Sequence, residues 1–162
     1  MKKIIFAVLV INSCFLLFGQ CQGKRPLFGA PTLLATAKSW EGKYFRKGQS
    51  LQCANWVGAV ATSSGCGLPK NHSLARSWLN WGRPVSLAAI QPGDVVVTWR
   101  GSKSGTSGHI LIYVGGGQCI HRPTYSKPVQ KTPLSSYKSR ILGVRRVKVE
   151  TLSFRGRSLK SP

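Results

Sequence analysis

The hydrophobic pattern of this 162-residue chain changes character near residue 90. Before that point the apolar segments are helix-prone. After it, short β-branched runs alternate with glycine-rich turns, the pattern of strands and hairpins. A helix is expected over residues 31–40, started by Pro31 or Thr32 and ended at Gly42. A polar loop, 43–51, leads into a second helix that opens at Cys53 and stops at Ser63-Ser64-Gly65-Cys66-Gly67. Two glycines there supply a C-terminal cap. Residues 73–81 predict a third helix, with Leu74, Trp78 and Trp81 at helical spacing. Strands are expected over 94–100 and 109–114. Gly115-Gly116-Gly117 then turns the chain, and 118–122 returns as a hairpin partner. Residues 123–138 carry no regular pattern, and 141–147 form a last strand.

The stretch Gln52-Cys53-Ala54-Asn55-Trp56-Val57 holds the first candidate for chemistry. Unpaired N–H groups of a helix's first turn stabilise an anion, and thiolate is the nucleophilic form of cysteine. The opposing reading is a small buried residue or a disulfide partner. A nucleophilic thiol needs a base, and the chain has three histidines. His109 opens a strand and His121 lies twelve residues later, across the expected hairpin. A tight glycine turn can bring the two together, as base and as the residue that fixes its tautomer. His72 is assigned a structural role.

Charge is the outlying property: 24 Lys and Arg against 3 Asp and Glu, net +21. Such a surface seeks polyanions, whether nucleic acid, anionic membrane or bacterial wall polymer. No RNP, finger or helix-turn-helix signal accompanies the charge, so nucleic acid is not an expected partner. The first 23 residues predict a signal peptide: basic Met1-Lys2-Lys3, an apolar run over 4–18, and small residues before cleavage after Cys21 or Gly23. A lipid anchor at Cys21 is the rival, with Gln20 a poor fit to it. Export leaves 22 basic residues against 3 acidic, net +19, and no membrane-spanning segment in the mature chain. Residues 148–162 are expected to be a flexible basic tail.

Three cysteines survive either cleavage: Cys53, Cys66 and Cys119. An odd count in an oxidising setting implies one free thiol. The economical solution is a Cys66–Cys119 disulfide with Cys53 free; pairing of Cys53 with either of the others stays open. No spacing suits a zinc site, and neither metal nor cofactor is expected.

Four segments in fixed order resemble the NlpC-type and CHAP cysteine amidases, papain-like peptidoglycan hydrolases. They are Gln52-Cys53-Ala54-Asn55-Trp56-Val57, Gln91-Pro92-Gly93-Asp94-Val95-Val96, Gly108-His109-Ile110-Leu111-Ile112-Tyr113-Val114-Gly115 and Ile120-His121. Residues 75–82 and 142–147 are similar to type VI secretion amidase effectors of family two and to their domesticated animal versions. The resemblance spans roughly 31–147, which sets an amidase domain at 24–147. It implies an α+β papain-like core, with the cysteine helix packed on a small antiparallel sheet. It implies Cys53 as nucleophile, His109 as base and His121 as the third residue, with Tyr44 or Gln52 beside the oxyanion and Asp94 structural. The implied activity of a secreted monomer is hydrolysis of peptidoglycan stem-peptide amides. The D-Ala to meso-diaminopimelate crosslink comes first and the γ-D-glutamyl to diaminopimelate bond second. An inactive, cationic wall-binding antimicrobial protein is the alternative. Cysteine precedes histidine here, the reverse of the permuted lipid-acyltransferase relatives, which argues against a lipid-acyl substrate.

Overall fold

A computed structural model describes residues 32–147. The expected signal peptide and basic tail lie outside the described residues. Six antiparallel strands form one sheet in the order β1-β6-β2-β3-β4-β5. These are β1 Arg83–Val85, β2 Val95–Trp99, β3 Gly108–Gly115, β4 Gln118–His121, β5 Gln130–Pro133 and β6 Ile141–Arg146. Helices α1 (Leu33–Ser39) and α2 (Cys53–Ser63) pack on one face. The architecture is α+β, as the resemblance implies.

Local chemistry sets the helix ends. Thr32 caps α1 by accepting a hydrogen bond from Ala35 N at 3.1 Å. At the end of α2, Gly65 takes φ +73°. Cys66 N then reaches Ala61 O at 2.9 Å and Gly65 N reaches Thr62 O at 3.0 Å. This pair of bonds satisfies carbonyls that the last turn leaves open. The expected third helix is instead a six-residue 3₁₀ turn, Ala75–Asn80. Its Trp78 and Trp81 are buried, but Leu74 is exposed. Each indole is held by a carbonyl outside the turn: Trp78 Nε1 donates to His72 O and Trp81 Nε1 to Gly67 O. Tertiary anchoring of the two indoles, not a helical stripe, sets the conformation here.

The sheet separates two apolar clusters, because strand side chains alternate faces. Cys53, Trp56, Val57 and Val60 of α2 pack with Val95, Val97, Ile110, Ile112 and Ile120. Val96, Leu111, Cys119 and Val144 form the second cluster, with Tyr137 against it. This division overturns the expected Cys66–Cys119 disulfide. Cys66 packs against the first cluster and Cys119 lies in the second. The sheet stands between them, and Cys119 is a buried free thiol. Asp94 is structural, as expected from its turn. It is buried, accepts from Gln91 N at 2.8 Å, and takes both Nε and Nη2 of Arg146 at 2.7 Å.

Candidate active site

Cys53 is the first residue of α2, behind Gln52. Its sulfur is a free thiol and is mostly buried. Hydrogen bonds from the backbone N–H groups of Cys53, Ala54 and Ile110, with the charge of Arg100, favour the thiolate. Burial outweighs them and raises the thiol above its ordinary value. The helix-terminus argument therefore has the correct sign but loses to desolvation. The resting residue is a thiol.

His109 and His121 are brought together. Ile112 pairs with Ile120 across β3 and β4, so His109 and His121 are diagonal neighbours on one face. Their rings meet with Nε2 of His109 2.7 Å from Nδ1 of His121. Both are almost fully buried. The register sets them on the face away from α2, with Leu111 and Cys119. The pairs of β3 with β4 run no further in this direction than Ile112 with Ile120. Beyond that point the Ile110 amide turns to the Cys53 sulfur instead. Arg100 links the two groups: its charge acts on the Cys53 sulfur and its guanidinium lies against His109.

Donor arithmetic assigns the tautomers. Arg100 Nη2 lies 3.4 Å from His109 Nδ1, and a guanidinium only donates. His109 Nδ1 is then an acceptor, so the proton of the neutral ring sits on Nε2 and is donated to His121 Nδ1. The proton of His121 falls on Nε2, a buried atom with no partner among the described residues. The arrangement puts the free lone pair of His109 on Nδ1, where Arg100 lies against it. Burial first, then the charges around it, pull His109 down from 6.5 to about 3; burial and Arg100 pull His121 to about 4. Tyr137 covers the pair, its ring centroid 5.8 Å from each imidazole.

A shallow cleft of about 140 Å³ opens beside the sulfur, lined by Gln52, Arg100 and Arg122 among others. Gln52 accepts from Arg46 Nη1 at 3.0 Å and Asn55 Nδ2 at 2.8 Å through Oε1. Its amide NH₂ is left as a donor at the cleft. Tyr44 is exposed, lies under Lys47 and does not line this cleft. His72 sits apart, its ring against Gly58 and its carbonyl on Trp78. Three site residues escaped the sequence reading. Arg100 and Tyr137 contact the imidazoles. Arg122 is buried and donates to the carbonyls of Phe45, Arg46 and Gln49, which holds the loop before Cys53. The position of Arg122, next to His121 in a chain so short of acids, was the one available signal.

Residues 39–146 match the NlpC/P60 family. The chain belongs to this family of cysteine peptidases. It is similar to a probable endopeptidase of Mycobacterium tuberculosis, 33% identical over 84 residues, which are 52% of this chain and 20% of the relative. A γ-D-glutamyl-L-lysine dipeptidyl-peptidase of Bacillus cereus is 26% identical over 136 residues, 80% of this chain and 40% of the relative. The chain therefore spans a minor part of the length of either. A Bacillus cereus NlpC/P60 family structure shares the fold with TM-score 0.63 at 24% identity, over 77% of this chain and 42% of that one. The peptidoglycan hydrolase RipB of Mycobacterium tuberculosis shares it with TM-score 0.55 at 20% identity, over 71% and 62%.

Proposed function

We propose that this NlpC/P60 protein is a secreted antibacterial amidase that cuts stem-peptide amides of bacterial peptidoglycan through a Cys53–His109 mechanism. The observation that supports the reading is the 2.7 Å imidazole pair, tied through Arg100 on His109 Nδ1 to the cleft that Arg100 and Cys53 both line. The Cys53 proton passes to His109 Nδ1 as the sulfur attacks the carbonyl carbon. The oxyanion meets the Cys53 backbone N–H and the Gln52 amide. As the intermediate collapses, His109 Nδ1 gives the proton to the leaving amine and a thioester remains. His109 then takes a proton from water, and hydroxide attack releases the acid and restores the thiol. His121 holds the His109 ring by accepting its Nε2 proton.

The D-Ala to meso-diaminopimelate crosslink is the favoured bond, from the resemblance to family two. The γ-D-glutamyl bond is the second reading, favoured by the name of the Bacillus cereus relative. Digestion of purified sacculi, read by chromatography and mass spectrometry of the muropeptides, tests activity and bond together. Cross-linked dimers should fall and monomers rise, and Cys53→Ala should release nothing. Bacterial killing that survives intact in Cys53→Ala would instead favour the inactive, wall-binding alternative.

A further inference from the structure

Every carboxylate among the described residues is engaged away from the cleft. Asp94 is bound by Arg146, and Glu41 pairs with Lys131 at 3.0 Å on the surface. The two arginines that line the cleft, Arg100 and Arg122, therefore have no carboxylate partner among the described residues. They differ in how their donors are used. Arg122 is buried and spends its donors on loop carbonyls. Arg100 follows the end of β2, is exposed, and among the described residues makes one side-chain hydrogen bond, the 3.4 Å contact to His109 Nδ1. That contact is poor for both partners: a cation rests on the nitrogen that must accept a proton. A guanidinium fork with donors to spare, beside the reactive sulfur, fits a planar carboxylate.

We propose that Arg100 binds a free carboxylate of the substrate next to the scissile amide, so that the site selects crosslinks whose leaving amine carries one. This rests on the amidase reading above. In the D-Ala to meso-diaminopimelate bond, the carbon bearing the amide nitrogen also bears a carboxylate. Its arrival draws the guanidinium off His109 Nδ1 and cancels the charge that opposes protonation of that ring. Binding the correct substrate thereby frees the base. Arg100 determines specificity through its own contact with substrate and acts on His109 only by leaving it.

The test uses two cross-linked muropeptide dimers, alike except that this carboxylate is free in one and amidated in the other. Each is digested by the wild-type protein, Arg100→Gln and Arg100→Lys. The ratio of kcat/KM between the two dimers is taken within one preparation, so a change in the folded fraction cancels. Wild type should prefer the free carboxylate by about tenfold or more, the scale of one charge-assisted hydrogen bond. The ratio should approach one in Arg100→Gln and lie between in Arg100→Lys, which keeps the charge without the fork. A wild-type ratio near one, or a preference that survives Arg100→Gln, overturns the assignment and leaves the hydrolase intact. If neither dimer is cut, the assignment falls. The amidase reading falls with it only if sacculi also release nothing.

Discussion

At the scale of single residues, the site is a contest between desolvation and charge. Three backbone N–H groups and a guanidinium favour a Cys53 thiolate, yet burial keeps the thiol. The same burial keeps both imidazoles neutral well below 6.5. In the proposed mechanism, reaction therefore starts from thiol and imidazole, and the proton moves only as the carbonyl is attacked. Activity needs His109 unprotonated and the thiol proton present. The acid limb of kcat/KM should lie below 6.5, toward about 3, and the alkaline limb above 9, which a pH–rate profile would check. Iodoacetamide at neutral pH should modify Cys53 no faster than an unperturbed thiol, and buried Cys119, pushed up to about 12, slower still. His109→Ala should remove hydrolysis, a loss of about 10²-fold or more. His121→Ala should cost less, because it removes the holder of the ring and not the base. Equal loss in both would mean that ring orientation matters as much as basicity.

The elements divide by what made them visible in sequence. The helix opening at Cys53 and strands β2, β3 and β4 carry strong local patterns and lie close to where those patterns put them. The edge strands β1 and β5 do not. Arg83-Pro84-Val85 and Gln130-Lys131-Thr132-Pro133 each contain a proline, and neither shows an alternating apolar pattern. An edge strand pairs on one side only and needs neither a buried face nor every N–H, so its sequence looks like loop. The helix expected over 73–81 is a 3₁₀ turn, Ala75–Asn80, because tryptophans three apart suit that geometry as well as the α-helix. Two substitutions probe these elements by urea denaturation. Gly65→Ala puts a Cβ at φ +73° and should cost about 1–2 kcal/mol with little effect on the cleft. Trp78→Ala empties a fully buried site and should cost about 3–5 kcal/mol.

For the whole molecule, the shortage of acids reshapes how basic side chains are held. With Asp94 and Glu41 taken, guanidiniums turn to backbone carbonyls. Arg76 grips Ser102, Lys103 and Ser107 of the loop before β3, and Arg122 grips the loop before α2. Two arginine clamps thus fix the loop before β3 and the loop before α2. The unpaired surface charge should hold the protein on an anionic wall in a salt-dependent way, the screening length being about 8 Å at physiological ionic strength. Sedimentation with sacculi across a salt series should show binding that falls with salt, in Cys53→Ala as in wild type. Folding stability should depend on pH through the two imidazoles. Their folded-state values lie below the unfolded value of 6.5, so the unfolded chain binds more protons as pH falls. The contribution is full above 6.5 and is lost progressively down to about 3. The urea midpoint should drop across that window, and the drop should shrink in His109→Gln.

Residue order determined the family resemblance, the chemistry-bearing set and the sign of the surface charge, because each is carried by local composition or by motifs contiguous in the chain. Sequence could also single out Cys53, His109 and His121 as candidates, since thiols and imidazoles are rare residue types here. It could not give which face each occupies, whether Cys66 meets Cys119, or whether the thiol ionises. Those follow from strand register, from the sheet that parts the two clusters, and from burial. All three are sums over residues distant in sequence, and only the folded chain adds them up.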